Sequence, residues 1–250
     1  MKTLCMYVVP EPQEYQGAVA DFITSYTSRD AGADHDLLVL CKGGRTWSGP
    51  PAEVREWPDR GFDIGPFQDV CREYGALYER VMLLSTTCIL HCDGWLAHYL
   101  AAFEDDVAMV SASGSYARGY SQHDFNPHLR TANLMVRPSL INELELPVAV
   151  SKRDCWDFEH ADWNVTRLLR DAGYRCLVVG RDGRTFDVDD WITSGTFYAG
   201  GQANLIASDR QTNFYEHASA RQREFMTAAA WRRPVFAGHL GQKGYPPLAA

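Results

Sequence analysis

The sequence holds no apolar run near the roughly 18 residues of a membrane span, so a spanning segment is not expected. It has no excess of positive charge. Its 24 Lys and Arg stand against 32 Asp and Glu, a net charge of −8, which argues against a general polyanion binder but not against a local basic patch. There is no CxxC pair among the seven cysteines at 5, 41, 71, 88, 92, 155 and 176. Their odd number fits reduced thiols in a cytoplasmic chain better than a disulfide scaffold. Cys88, His91, Cys92 and Asp93 follow no zinc spacing and read as small side chains around a strand end. Also missing are GxGxxG, GxxxxGK, GxSxG and HExxH, which weakens dehydrogenase, nucleoside triphosphatase, serine hydrolase and zinc protease readings.

What remains is a chain of ordinary globular composition, 46% hydrophobic and 22% charged, long enough for one domain with a full core. The apolar run before Pro10 and Glu11 reads as a first strand rather than a signal peptide, because Glu11 and Glu14 precede the small residues Ala18 and Ala20. The order along the first half then alternates. Strands are expected at Leu4–Val9, Asp36–Cys41, Val54–Trp57, Val81–Leu84 and Val107–Ser111. Helices are expected at Gly17–Tyr26, Phe67–Tyr78 and Gly94–Phe103. Alternation of this kind predicts an α/β fold, a mostly parallel central sheet with helices on both faces. Such sheets bind ligands beyond the carboxyl ends of their strands, which here means Val9-Pro10, Cys41 and Leu84-Ser85.

The second half is less regular. Residues 126–136 (NPHLRTANLMV) contain a strand, 158–173 (FEHADWNVTRLLRDAG) read as one helix ending at Gly173, and 174–179 form a strand. Residues 182–205 are loop-rich and aromatic. Gln211 to Trp231 is a terminal helical region whose last turn holds Trp231, Arg232 and Arg233. Trp156, Trp163 and Trp191 are candidates for an acceptor platform, since sugars and bases stack on aromatic faces.

Residues 62–110 resemble the core of a family 2-type glycosyltransferase of the GT-A fold. Asp63-x-Gly65 precedes a helix, a strand ends at Leu84, and Trp95-Leu96 opens the next helix. A second stretch, ADWNVTRLLRDAGYRCLVV (161–179), resembles the family's Glu-Asp-Trp, Arg, Ala-Gly-Tyr succession, with Asp162 in the Asp position. RTANLMVRPSL (130–140) is similar to the strand that opens its acceptor half. Gly201, Gln202, Asn204 and Leu205 resemble a segment of bacterial and phage glycosyltransferase-like proteins.

The resemblance implies a single GT-A-like domain. Residues 1–115 would bind a nucleotide-diphosphate sugar, and 116–250 would form the acceptor half with the C-terminal helices. It implies transfer of a hexosyl unit, from a UDP-sugar or a related donor, to a hydroxyl acceptor. Nucleic acid is a partner only if that acceptor is a modified base. Pro10, Glu11, Asp63 and Gly65 would contact the donor. Asp162 would be the general base, with Glu159 three residues earlier on the same helical face. Trp163, Asp190, Trp191 and Gln202 are assigned to the acceptor.

One departure from the pattern stands out. Ser85, Thr86 and Thr87 occupy the position of the family's aspartate pair, which holds Mn²⁺ or Mg²⁺ against the donor diphosphate. Hydroxyls are poor ligands for those ions. Three readings stay open: metal-free neutralisation with His128 and Arg130 as the cations, a metal held elsewhere with Asp187 and Asp189 as runner-up ligands, or a chain that does not catalyse. The alternatives in function are a nucleotidyltransferase and a non-catalytic nucleotide-sugar or carbohydrate-binding protein.

Overall fold

The computed structural model describes residues 2–12, 15–119, 121–122 and 125–231. Arg232 and Arg233, expected in the last helical turn, lie outside the described residues. Strands β1 (Thr3–Val9), β2 (Asp36–Lys42), β3 (Glu53–Trp57), β4 (Arg80–Leu84), β6 (Val107–Ser111), β9 (Leu134–Val136), β10 (Arg175–Val179) and β11 (Thr185–Phe186) form one sheet. Their order is β3-β2-β1-β4-β9-β6-β10-β11. All strands from β3 to β10 run in one direction except β9, which pairs antiparallel with both β4 and β6. β11 pairs antiparallel at the far edge. The α/β architecture expected from the alternation is the one observed.

Both faces of the sheet are covered, and β1 shows why its sequence lacks a polar face. Leu4, Met6 and Val8 point into one core and Cys5, Tyr7 and Val9 into the other, and all six are buried. Strand β4 splits likewise, with Val81 and Leu83 on one side and Met82 and Leu84 on the other. Helix α2 (Ile64–Tyr74) covers the first face with Phe67 and Val70, and helices α5 (Lys152–His160) and α6 (Val165–Asp171) add Phe158 and Leu169. Helices α1 (Gln16–Ser28) and α3 (Trp95–Ala101) cover the second with Phe22, Trp95 and Tyr99. Tyr7 and Phe22 stack at 3.8 Å. Burying each such side chain contributes roughly 1.5–3 kcal/mol, which is why unbroken apolar strands are stable here.

The second half departs from expectation in two places. The predicted helix over 158–173 is two helices. Helix α5 stops at His160, Ala161 is extended at ψ 168, and Asn164 caps α6 by accepting a hydrogen bond from Arg167 N. An Asn that can cap ends the periodic run that the apolar spacing alone suggested. Residues 126–136 form two strands, β8 (His128–Leu129) and β9, because residues 131–133 turn the chain between them, with Asn133 at φ 58. β8 pairs with β7 (Gly114–Ser115) in a separate ribbon. The terminal helical region is α7 (Arg210–His217) followed by α8 (Ala220–Trp231). Helix α8 returns to the centre, where its Ala230 carbonyl accepts from Tyr116 N and Ser115 Oγ. A further pair, β5 (Ile89–Leu90) with β12 (Ala207–Ser208), ties the loop-rich segment to the turn after β4. No helix among the described residues is long and apolar enough to cross a membrane.

Candidate active site

Parallel pairing brings the carboxyl ends of the central strands together. Val9 lies opposite Cys41 and Tyr7 opposite Leu84, so the segments after β1, β2 and β4 share one edge. Thr86 joins them. Its hydroxyl lies 3.1 Å from both the Val8 carbonyl and Asp63 Oδ1, and its own carbonyl accepts from Tyr7 OH at 2.8 Å. Asp63 sits at the N-cap of α2 without capping it, so its carboxylate is left for Thr86. Burial raises the Asp63 pKa, while Lys42 and Thr86 work against that shift.

Lys42 braces the loop that leads into this carboxylate. Its side chain is 3% exposed, and Nζ bonds the carbonyls of Phe62 (2.8 Å) and Arg60 (3.2 Å) and pairs with Asp59 at 3.4 Å. Gly65 lies in α2 rather than at the open edge. A Cβ there would stand 2.6 Å from the Ala149 carbonyl, so close packing of backbones accounts for this glycine. Pro10 is half-buried and Glu11 exposed beyond β1, and the Glu11 carbonyl accepts from Arg45 Nε at 2.8 Å.

The three hydroxyls after β4 are not equivalent. Thr87 Oγ1 accepts from Arg210 N at 3.0 Å. Ser85 donates its N–H to Asn133 Oδ1 at 3.3 Å, while its own Oγ is buried without a partner. Two of the hydroxyls are engaged within the protein and none carries charge. The segment therefore does not fit Mn²⁺ or Mg²⁺, which favour charged oxygen ligands.

Arg130 and His128 are corrected as free cations for a diphosphate. Arg130 is buried, with Nη1 2.6 Å from Asp209 Oδ2 and 3.2 Å from Ser113 Oγ, and its guanidinium lies over Phe197 at 4.1 Å. Burial would lower its pKa, but Asp209 and Glu159 more than offset this and hold it charged. Asp209 already balances that charge. His128 is 1% exposed. Burial, and next the neighbouring His160, lower its pKa to about 3, so it is neutral near pH 7.

Glu159 and Asp162 do not share a helical face. Glu159 ends α5 half-buried and accepts from Thr131 N at 2.7 Å and from the Thr131 hydroxyl, while its other oxygen meets His160 Nε2 at 2.9 Å. Burial alone would raise its pKa. His160, His128 and Arg130 outweigh that and hold it below the usual carboxylate range. Asp162 lies exposed in the turn between α5 and α6, and its Oδ1 accepts from Ser121 Oγ at 2.5 Å and Gln122 N at 2.8 Å. Trp163, next to it, is half-buried.

Two acceptor assignments are corrected by burial. Trp191 is fully buried, donates Nε1–H to the Phe186 carbonyl at 3.0 Å and packs on Gly114, so it belongs to the core. Gln202 is buried with both ends of its amide engaged, donating to the Thr212 carbonyl at 3.0 Å and accepting from Tyr198 N at 3.3 Å. Asp190 is exposed beside Trp191. Asp187 pairs with Arg175 at 3.1 Å across β10 and β11, and Asp189 is exposed near it. Among the described residues, the group of three or more His, Cys, Asp or Glu side chains placed to hold a metal is His128, Glu159 and His160, not the 187–189 pair. All seven cysteines are free, and all but Cys92 are buried.

Sequence reasoning missed Lys42, Thr131, Asn133, His160 and Asp209. His160 follows Glu159 directly and stands two residues before Asp162, so a His beside two carboxylates is visible in the sequence. Asp209 carries no local signal, since only the return of the chain from β12 to α7 sets it against Arg130.

No protein-family profile matches the chain, and no curated protein matches it. Solved structures do. A Pyrobaculum calidifontis mannosyltransferase in complex with GDP-Man and Mn²⁺ is similar over 70% of this chain and 53% of that one, at 11% identity and a TM-score of 0.46. Staphylococcus aureus TarS 1–349 in complex with UDP-GlcNAc is similar over 58% and 48%, at 9% identity and 0.37. The catalytic domain of Drosophila β1,4-galactosyltransferase 7 in complex with xylobiose is similar over 92% and 80%, at 11% identity and 0.46. The chain thus spans about half the length of the first two. Likenesses at TM-scores below 0.5 say nothing about chemistry.

Proposed function

We propose that the chain is a GT-A-type glycosyltransferase that moves a sugar from a nucleoside-diphosphate donor to a hydroxyl acceptor. The observation that carries this reading is the Thr86–Asp63 contact at the carboxyl edge of β1 and β4. It joins the Asp63-x-Gly65 element to the segment that stands in the place of the family's aspartate pair, at the edge where α/β sheets take ligands. Residues 1–115 supply the donor side and the later residues the acceptor side. Asp63, held half-buried by Lys42 and Thr86, accepts a hydrogen bond from the base or ribose. Ser85 Oγ has no partner within the protein and would gain one from a donor oxygen.

Asp162 is the general base, taking the acceptor hydroxyl proton as the anomeric bond forms. Its Oδ1 contacts with Ser121 and Gln122 orient the carboxylate. Glu159, already ionised and bonded on both oxygens, holds the β8–β9 turn through Thr131 and is the poorer base. No step is routed through a metal at residues 85–87, where the hydroxyls do not fit one.

Those same neutral hydroxyls favour the second reading, a nucleotide-sugar-binding protein without turnover. Calorimetry and donor hydrolysis with a panel of UDP- and GDP-sugars separate the two. Binding with hydrolysis or transfer supports the enzyme, and binding alone supports the module. No nucleotide binding at all overturns both.

A further inference from the structure

The cluster at the end of α5 has a use that sugar transfer does not require. We infer that His128, Glu159 and His160 form a binding site for one first-row divalent transition-metal ion, of the class that accepts two imidazoles and a carboxylate. The proposal stands whether or not the chain transfers sugar. The potential ligand atoms of all three residues lie within 4.8 Å of one another. Around a tetrahedral ion bound at 2.0–2.1 Å, ligand atoms stand about 3.3 Å apart. The contact between Glu159 Oε1 and His160 Nε2 is 2.9 Å, close to that spacing with a proton in the place of an ion. The His128 and His160 rings meet edge to face, 4.4 Å between centroids, so small side-chain rotations close the remaining gap.

The surroundings orient these groups as metal ligands are usually oriented. His128 Nδ1 lies 2.9 Å from the Asn126 carbonyl. A proton on Nδ1 leaves the Nε2 lone pair for an ion. Thr131 fixes the second oxygen of Glu159. Asn126 is fully buried and donates from Nδ2 to the His160 carbonyl at 2.9 Å, so one side chain and its own carbonyl hold both histidines. Arg130 faces Glu159, but Asp209 balances its charge. Imidazole ligands select Zn²⁺, Co²⁺ and similar ions over Mg²⁺ and Ca²⁺.

The test is titration of chelator-treated protein with Co²⁺, read by visible absorption. One equivalent should bind per chain, with d–d bands and no thiolate-to-cobalt band in the near ultraviolet. His160→Gln and His128→Gln should each weaken binding at least about tenfold, as even loss of supporting groups does at metal sites. Zn²⁺ should raise the melting temperature of the parent and not of His160→Gln. Far-UV circular dichroism checks each variant. Should His128→Gln fail to fold, the half-buried His160 carries the test. Unchanged Co²⁺ affinity in folded His160→Gln, a thiolate band, or no saturable binding would each overturn the proposal.

Discussion

The two sides of the carboxyl edge handle charge differently. On the β1–β4 side, one carboxylate, Asp63, faces a hydroxyl, with Lys42 held behind it by backbone carbonyls. On the β7–β8 side, Arg130, Asp209, Glu159, His128 and His160 are packed into a buried network in which each charge has a partner. The comparison shows that residue type is a poor guide to availability. Arg130 and His128 were candidate phosphate ligands by type, yet the fold has engaged one and neutralised the other. Asp63, a single residue in a modest motif, is the carboxylate whose pKa burial raises, with Lys42 and Thr86 opposing.

The contrast can be broken most sharply at the proposed base. Asp162→Asn should lower sugar transfer by about 10²–10⁴-fold with donor affinity unchanged, and Glu159→Gln should lower it less. Steady-state rates with the acceptor in hand decide this. A larger loss in Glu159→Gln would move the chemistry into the buried network.

The network itself is tested by Arg130→Ala. Removing one member of a buried pair leaves Asp209 uncompensated, and stability should fall by about 3–5 kcal/mol in urea unfolding. A loss as small as that of an exposed pair would mean that water reaches the site and that the two sides are alike after all.

On the open side, Asp63→Ala should weaken nucleotide-sugar binding about tenfold or more, since hydrogen bonds to charged groups are worth roughly 1.5–3 kcal/mol. Unchanged affinity by calorimetry, in a folded variant, removes Asp63 from the site. Thr86→Val should lower stability by about 1 kcal/mol, the net worth of an ordinary buried hydrogen bond.

The smallest effect concerns pH. The folded pKa of Asp63 is raised, so its contribution to stability is full below the unfolded value near 3.9 and is lost as pH rises through the folded pKa. Ionised Asp63 therefore destabilises the free protein at pH 7. Asp63→Asn should be more stable than the parent at pH 7, with the difference shrinking toward pH 4. A constant difference across that range would show that Asp63 does not titrate as described.

Much of the frame was legible from the chain alone. The apolar runs of β1, β2, β4 and β6 and the helices between them follow from local spacing, and so does the meeting of Val9, Cys41 and Leu84 at one edge. Legibility faded after residue 115, where every strand but β10 has two or three residues and helices break at caps such as Asn164. Short elements carry too few turns of periodicity to outweigh a single capping side chain.

What the sequence by itself determined is the alternating α/β order, the placement of residues 85–87 at the carboxyl edge of the sheet, and the lack of carboxylates after β4. Periodic burial sets the first two, and the third is a matter of composition. Only the tertiary structure decided that Trp191 and Gln202 are internal, that Arg130 belongs to Asp209, and that His128 meets Glu159 and His160. The Arg130–Asp209 and His128–Glu159 contacts join residues about 80 and about 30 positions apart in the chain. A side chain's charge and exposure there depend on which distant group faces it, and no local pattern encodes that.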